Sequence, residues 1–496
     1  MNSDDRTLKE KLIANLSRRT ILGSGVGLGA VAMADMMGLG SFAKGAGSGG
    51  PLNLDLGPDK GVLGTGQIAP RAKRVVQMHM WGAVSQVDTF DYKPTLIKMH
   101  GQEIPPSVKN KGGAISAQSN GQSSFPLVKP LWDYQQYGQS GTWASTLMRH
   151  TGKIADELTF IHTMNTEQVN HDPAAIFLHT GFQLAGRPAA GAWVNYALGT
   201  DNDNLPSFVV MKSMYQTSGV AANAAAWSSG FLPSHHQGVE FRAGVDPVLY
   251  IGNPDGVAQA DRRGELDAID AMSRAQYAQN GDPEILSKVS QYEMAYRMQA
   301  SVPEVADISD EPDYILELYG PEVKKPGSYA HNCLLTRRLI ERDVKYVQLI
   351  HVGWDHHNRI FDRHPSDCYS VDQPSAALVM DLKQRGLLDD TLVMFGGEFG
   401  RTSYAQGGIS NLTGRDHHGD CFTYWMAGGG VKKGYHHGES DEFSYNIVRD
   451  PVSIHDMHAT MLYLLGIDHK QLTYHYQGRD YRLTDVYGNV VQGIIA

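Results

Sequence analysis

Three cysteines in 496 residues, Cys333, Cys368 and Cys421, are too few and too widely spaced for a disulfide framework or a zinc knuckle. An excess of positive charge is also missing. With 43 Lys and Arg against 53 Asp and Glu the formal net charge is −10, which excludes a general nucleic-acid binder and needs no explanation beyond solubility. Beyond residue 43 no run approaches the ~20 apolar residues of a membrane span, so none is expected in the mature chain. No internal repeat is visible, which argues against a solenoid. Histidine, by contrast, is plentiful: 21 residues, with pairs at 235/236, 356/357, 417/418 and 436/437. Paired imidazoles beside Asp or Glu at strand ends favour metal binding over scattered structural roles. At 41% hydrophobic and 19% charged the composition is globular, with length for one large or two ordinary domains.

Residues 1–43 read as an address. Ser17-Arg18-Arg19-Thr20-Ile21-Leu22 precedes a weakly apolar, glycine-rich run, and Ser41-Phe42-Ala43 is a small-x-small cleavage site. This is a twin-arginine pattern, which predicts export of the folded protein through the twin-arginine machinery to a periplasmic or extracellular location. The glycines of the run make it a poor core helix, at about 1 kcal/mol each relative to Ala. Residues 44–70 are rich in Gly, Pro and Asp and read as a linker. Residues 71–496 read as a single domain.

Along that domain apolar strands alternate with helices. Arg74–Met80, Leu158–His162, Pro206–Met211, Val344–Val352, Thr391–Phe395 and Phe422–Ala427 read as strands. His171-Asp172-Pro173 opens a helix that Asp172 could cap, and further helices fit Cys333–Arg342, Ser375–Gly386 and His455–Leu465. Trp143, Leu147 and Ile154 fall at helical spacing. A polar helical excursion lies around 255–330. The alternation predicts an α/β fold, a three-layer α/β/α sandwich on a mostly parallel central sheet.

In such sheets ligands gather beyond the carboxyl ends of strands, and three clusters stand there. Gly353-Trp354-Asp355-His356-His357 follows one strand, Gly396-Gly397-Glu398-Phe399-Gly400 another, and Gly414-Arg415-Asp416-His417-His418 lies in a polar stretch read as a loop. Of the adjacent Asp355, His356 and His357 only two can face one ion; Asp355 and His356 are assigned to it, the alternative being a loop held by Asp355. Glu398 is a ligand or the partner of Arg401, and Asp88 a ligand or a loop cap. His417 touches metal or substrate, with Asp416 placed to orient a ring. His171, at a helix amino end, should be neutral there, free to ligate or to act as base or nucleophile, unless it merely belongs to the capping region. Arg415 and Arg187 are candidate oxyanion partners or ordinary ion pairs. The expectation is that Asp88, His171, Asp355, His356, Glu398 and His417 meet in one pocket. Mixed imidazole and carboxylate donors suit zinc or manganese (iron also fits) better than calcium.

These motifs, with Ser85-Gln86-Val87-Asp88-Thr89-Phe90-Asp91 and Gln477-Gly478-Arg479-Asp480, resemble those of the exported bacterial family called domain of unknown function 1501. That family is sulfatase-like and similar to the alkaline phosphatase superfamily. The resemblance, from about residue 70 onward, implies an alkaline-phosphatase-like fold and a metal-dependent hydrolase of a phosphate or sulfate ester, small-molecule or glycan. Departures accompany it. His171 stands in the nucleophile's place and Ala175 in the arginine's, Trp81-Gly82 replaces the first metal-binding Asp, and Phe399 replaces a histidine. The alternative they raise is a non-catalytic binding or scaffold protein on a degenerate phosphatase fold, recognising an anionic glycan.

Overall fold

The computed structural model describes residues 60–63, 66–111, 119–214, 221–244, 247–249, 251–410 and 412–496. The expected signal segment 1–43 and residues 44–59 of the linker lie outside them.

In chain order the strands that matter are β1 (Arg74–Trp81), β2 (Leu158–Asn165), β3 (Phe208–Met214), β4 (Val239–Phe241), β5 (Tyr346–Val352), β6 (Thr391–Gly396), β7 (Gly400–Ala405), β8 (Arg415–His418), β9 (Phe422–Ala427), β10 (Tyr435–His437) and β11 (Val452–Ser453). The main sheet has the order β10-β2-β9-β6-β1-β5-β3-β4, with β11 also paired to β2. Strand β9 is antiparallel to β6 and β2, while the remaining pairings are parallel. The sheet is therefore mostly parallel, as the alternation of elements implies. β7 and β8 form a separate antiparallel pair, and every residue of both is buried.

The helices are α1 (His171–Thr180), α2 (Ala190–Leu198), α3 (Gln259–Asn280), α4 (Pro283–Ala306), α5 (Tyr329–Ile340), α6 (Ile360–Gln384) and α7 (Ile454–Leu464). Side chains alternate across a strand, so β1 serves two cores at once. Val76, Met78 and Met80 join Leu334 and Leu339 of α5 and Val371, Leu378 and Leu382 of α6. Val75 and Trp81, on the other face, join Leu178 of α1, Trp193 of α2 and Met461 of α7. Helices thus cover both faces, giving three layers. The long helices α3 and α4 pack against each other, and Met298, Val302 and Val305 tie α4 to the first core. Among the described residues no helix is long and apolar enough to cross a membrane.

α6 begins at Ile360, well before the expected Ser375, and local readings changed in three further places. Trp143 lies in a short strand, Thr142–Ser145, not on a helix; its strand pairs with Tyr134–Tyr137, and the helical turn begins only after it. α1 begins after Asn170, whose side chain makes no capping hydrogen bond, so Asp172 lies inside its first turn rather than at its cap, and the helix ends on Gly181. Residues 415–418 of the stretch read as a loop form the buried strand β8, because they pair antiparallel with β7, Arg415 opposite Ala405 and His417 opposite Arg401, with Thr402 and Asp416 accepting from N–H groups at the irregularity between.

Candidate metal centre

The carboxyl ends of β1, β5, β6 and β2 share one edge of the sheet, and the loops leaving them meet there. The turn after β1 approaches the loop after β5 so closely that a Cβ on Gly82 (φ 111°) would stand 2.7 Å from the Asp355 nitrogen. Only glycine fits both that contact and that φ. The Gly-Gly before Glu398 serves packing in the same way: a side chain on Gly396 would overlap the Tyr424 ring.

His171, Asp355, His357 and His417 each bring one donor atom within 4.8 Å of the others. The arrangement has one centre, Asp355 Oδ1. The Nε2 atoms of His171, His357 and His417 lie 3.2, 3.0 and 3.3 Å from it. Each ring is held from behind through Nδ1: His171 on Glu398 at 2.6 Å, His417 on the Val169 carbonyl, His357 on Gln406. Backing of this kind fixes the tautomer and leaves Nε2 for an ion. Nε2 of His171 and of His357 is buried without a hydrogen-bond partner of good geometry. Orphaned buried nitrogens aimed at one point, with a carboxylate among them, fit a tetrahedral zinc donor set. Asp355 and His357 remain 20% and 18% exposed, so solvent reaches the group.

Electrostatics agrees with that geometry. Burial alone would raise the Asp355 pKa, but the three imidazoles and Arg401 hold it far below the usual carboxylate range. Burial would lower that of His171, yet hydrogen bonds to Asp355 and Glu398 raise it to about 9. The neutral ring expected from the helix amino end is thus overruled: two carboxylates outweigh a helix dipole. Burial takes His417 down to about 4 despite its contact with Asp355, since its neighbours already carry positive charge. Glu398, fully buried, is held well below its ordinary value by His171 and His79, against the opposing effect of desolvation. Arg401 donates to Asp355 at 2.7 Å and to the carbonyls of Gly82, Ala83, Trp354 and Arg415, tying the loop ends together.

The family described as "Protein of unknown function (DUF1501)" matches residues 72–495. The chain belongs to this family. No curated protein matches it. Among solved structures, the chain is similar to Ps i-CgsB at 11% identity and TM-score 0.36, with 80% of this chain and 72% of that chain covered. It is similar to the PsFucS1 sulfatase from Pseudoalteromonas sp. at 14% identity and TM-score 0.32, covering 80% and 68%. The alkaline phosphatase of the Antarctic bacterium TAB5 is matched at 9% identity and TM-score 0.27, covering 73% and 92%. Each likeness is distant.

Against the six metal candidates, this DUF1501 chain brings His171, Asp355 and His417 together and places Glu398 directly behind His171. Two candidates lie elsewhere. His356 turns inward, with Nε2 on Asp367 at 2.8 Å and Nδ1 3.3 Å from His364; the ring that faces the pocket is His357. Asp88 is sealed against Arg415 at 2.7 Å, both side chains fully buried, and also accepts from Ser85 and the Leu131 N–H. Arg415 consequently offers substrate no guanidinium edge: its remaining donors go to the carbonyls of Thr402, Val128 and Lys129. Arg187 pairs with Asp485 and stacks on Phe182. Sequence reasoning passed over Arg401 as a partner of Asp355, and passed over His79. The signal for His79 was its place, with Gln77, as the polar interruption of an otherwise apolar strand.

Proposed function

We propose that this protein is an exported, metal-dependent hydrolase of a phosphate or sulfate ester. The observation that carries the reading is the convergence of three Nε2 atoms on one carboxylate oxygen at the carboxyl edge of the sheet. His171, Asp355, His357 and His417 would hold the ion, and three imidazoles with one carboxylate favour zinc over manganese. A zinc ion bound there supplies Lewis acidity toward a phosphoryl or sulfuryl oxygen. The chain's own residues supply the rest. Glu398 orients His171, Arg401 holds Asp355 against the strand ends, and Phe399 packs on the rings of His171 and His417, shielding that side from water. The amino end of α1 favours an anionic group beside His171. Export rests on the twin-arginine pattern at 17–22.

A second reading has an observation of its own. Arg415, the guanidinium nearest in sequence to His417, is locked on Asp88, so a binding protein for an anionic glycan, without turnover, suits the same pocket. The test is elemental analysis of the purified protein together with turnover of p-nitrophenyl phosphate and p-nitrophenyl sulfate under added zinc or manganese. The hydrolase predicts about one ion per chain and turnover lost in His357→Ala. Turnover by metal-free protein overturns it; ion and anion binding without turnover transfers the site to the second reading.

A further inference from the structure

Behind Glu398 a line of buried polar groups continues into the sheet, where an apolar core would ordinarily lie. His79 Nε2 is 3.0 Å from Glu398 Oε2, His79 Nδ1 is 2.8 Å from His179 Nε2, and His179 Nδ1 is 3.2 Å from Gln77 Oε1. His79, His179 and Gln77 are each no more than 1% exposed. Two periodicities build the line. Gln77 and His79 are i and i+2 on β1 and share its face; His171 and His179 are i and i+8 on α1 and share its face. α1 over β1 therefore carries one imidazole to the pocket and a second two turns deeper, onto His79.

The line has a direction. The Tyr346 hydroxyl donates to Gln77 Oε1 at 2.6 Å, so that atom is an acceptor and His179 must donate to it through Nδ1. The Gln348 amide, which donates to the Ala226 carbonyl, also lies 3.4 Å from His179 Nε2 and so addresses it as an acceptor. Burial holds the His179 ring neutral, its pKa well below the ordinary imidazole value. A neutral ring has one hydrogen, here on Nδ1; Nε2 then receives its hydrogen from His79 Nδ1, and His79, whose Nε2 also donates to the Glu398 carboxylate, carries a hydrogen on each nitrogen. On the other side, the Gly82 N–H donates to both oxygens of Glu398, and His171 donates to Oε1. Glu398 thus accepts from His79 and the Gly82 N–H on the side away from the pocket and from His171 on the side facing it.

We propose that Gln77, His179 and His79 are positioning residues for the metal centre: they hold Glu398 so that His171 donates through Nδ1 and presents Nε2 to the ion. This rests on the metal-dependent reading above. Selective ¹⁵N-histidine labelling of the full chain reads the relay directly. His179 is expected with its hydrogen on Nδ1, the minority form of free imidazole, and His171 likewise once zinc is added. Zinc affinity, by chelator competition, is expected to fall roughly 10–100-fold in His79→Leu and Gln77→Met, the usual cost of losing an outer partner of a ligand. His79→Gln, whose amide can still donate to Glu398, should recover most of the loss. A purely structural role would lower the melting temperature of these variants and leave zinc affinity untouched. Should His79→Leu fail to fold, Gln77→Met carries the affinity measurement. An Nε2–H tautomer at His179, or unchanged zinc affinity in a folded variant, overturns the relay. Absence of zinc binding by the wild-type protein instead sinks the metal-dependent reading, and the tautomer of His179 in the metal-free protein still decides whether the relay exists.

Discussion

Two aspartates at this edge of the sheet have opposite fates. Asp88 and Asp355 both follow a strand and both touch a buried arginine. Asp88 takes two guanidinium nitrogens, a hydroxyl and a backbone N–H, and is fully buried. Asp355 takes one guanidinium nitrogen and has three imidazoles around the same oxygen, with one side open to water. A carboxylate whose lone pairs are all met by fixed donors is a structural element; one surrounded by ring nitrogens whose other sides are already held is a place where a cation can sit. An acidic residue at a strand end is therefore informative only together with what else reaches it.

The sharpest way to break this contrast is to remove one partner from each side. Arg415→Ala leaves Asp88 buried without its countercharge and is expected to destabilise the fold by about 3–5 kcal/mol, read by urea unfolding. Replacing both Asp88 and Arg415 by apolar residues of similar volume should restore much of that loss. His357→Ala should cost little stability, because its ring is partly exposed. It should weaken zinc binding at least about a hundredfold, more than the loss of an outer partner does; chelator competition measures it. An equal loss of stability in both variants would erase the distinction.

The pH response separates the two sites further. In the metal-free protein His171 is raised to about 9 from an ordinary value of 6.5. Its contribution to stability is therefore complete below about 6.5 and is lost as pH rises through about 9. Metal binding runs the other way, since the ligand must lose that proton. Zinc affinity should rise about tenfold per pH unit up to pH 9, with about one proton released per ion at neutral pH in calorimetry across buffers. A separate pH effect concerns Asp367, which desolvation raises to about 8 from 3.8. Its contribution is present below about pH 4 and fades as pH approaches 8. Asp367→Asn should flatten the decline in unfolding free energy between pH 5 and 8.

Much of this was legible in the chain. The strand and helix alternation gave the layers, and the glycine-flanked clusters at strand ends gave the edge. Asp355 and His417 could be found because each lies within such a cluster, and His171 because Pro173 marks a helix start beside it. The choice between His356 and His357 was not legible. Neighbours in an extended loop point apart, and which one turns inward depends on a partner elsewhere; here His364 and Asp367, early in α6, capture His356. Asp88 misled for a similar reason, as its partner Arg415 lies far along the chain. Arg401 was paired with Glu398 because the two are close in sequence, whereas β7 carries its guanidinium toward Asp355 instead.

One strand of the sheet runs against the rest. Because β9 is reversed, the chain enters it at the edge where its neighbours finish. Whatever immediately precedes it arrives at the pocket without a crossing helix, and β8, with His417, is what precedes it. A single change of direction thus recruits a donor from late in the polypeptide by the shortest available route. Lengthening the three-residue join 419–421 between these strands should loosen His417 while leaving the sheet's own ladder intact.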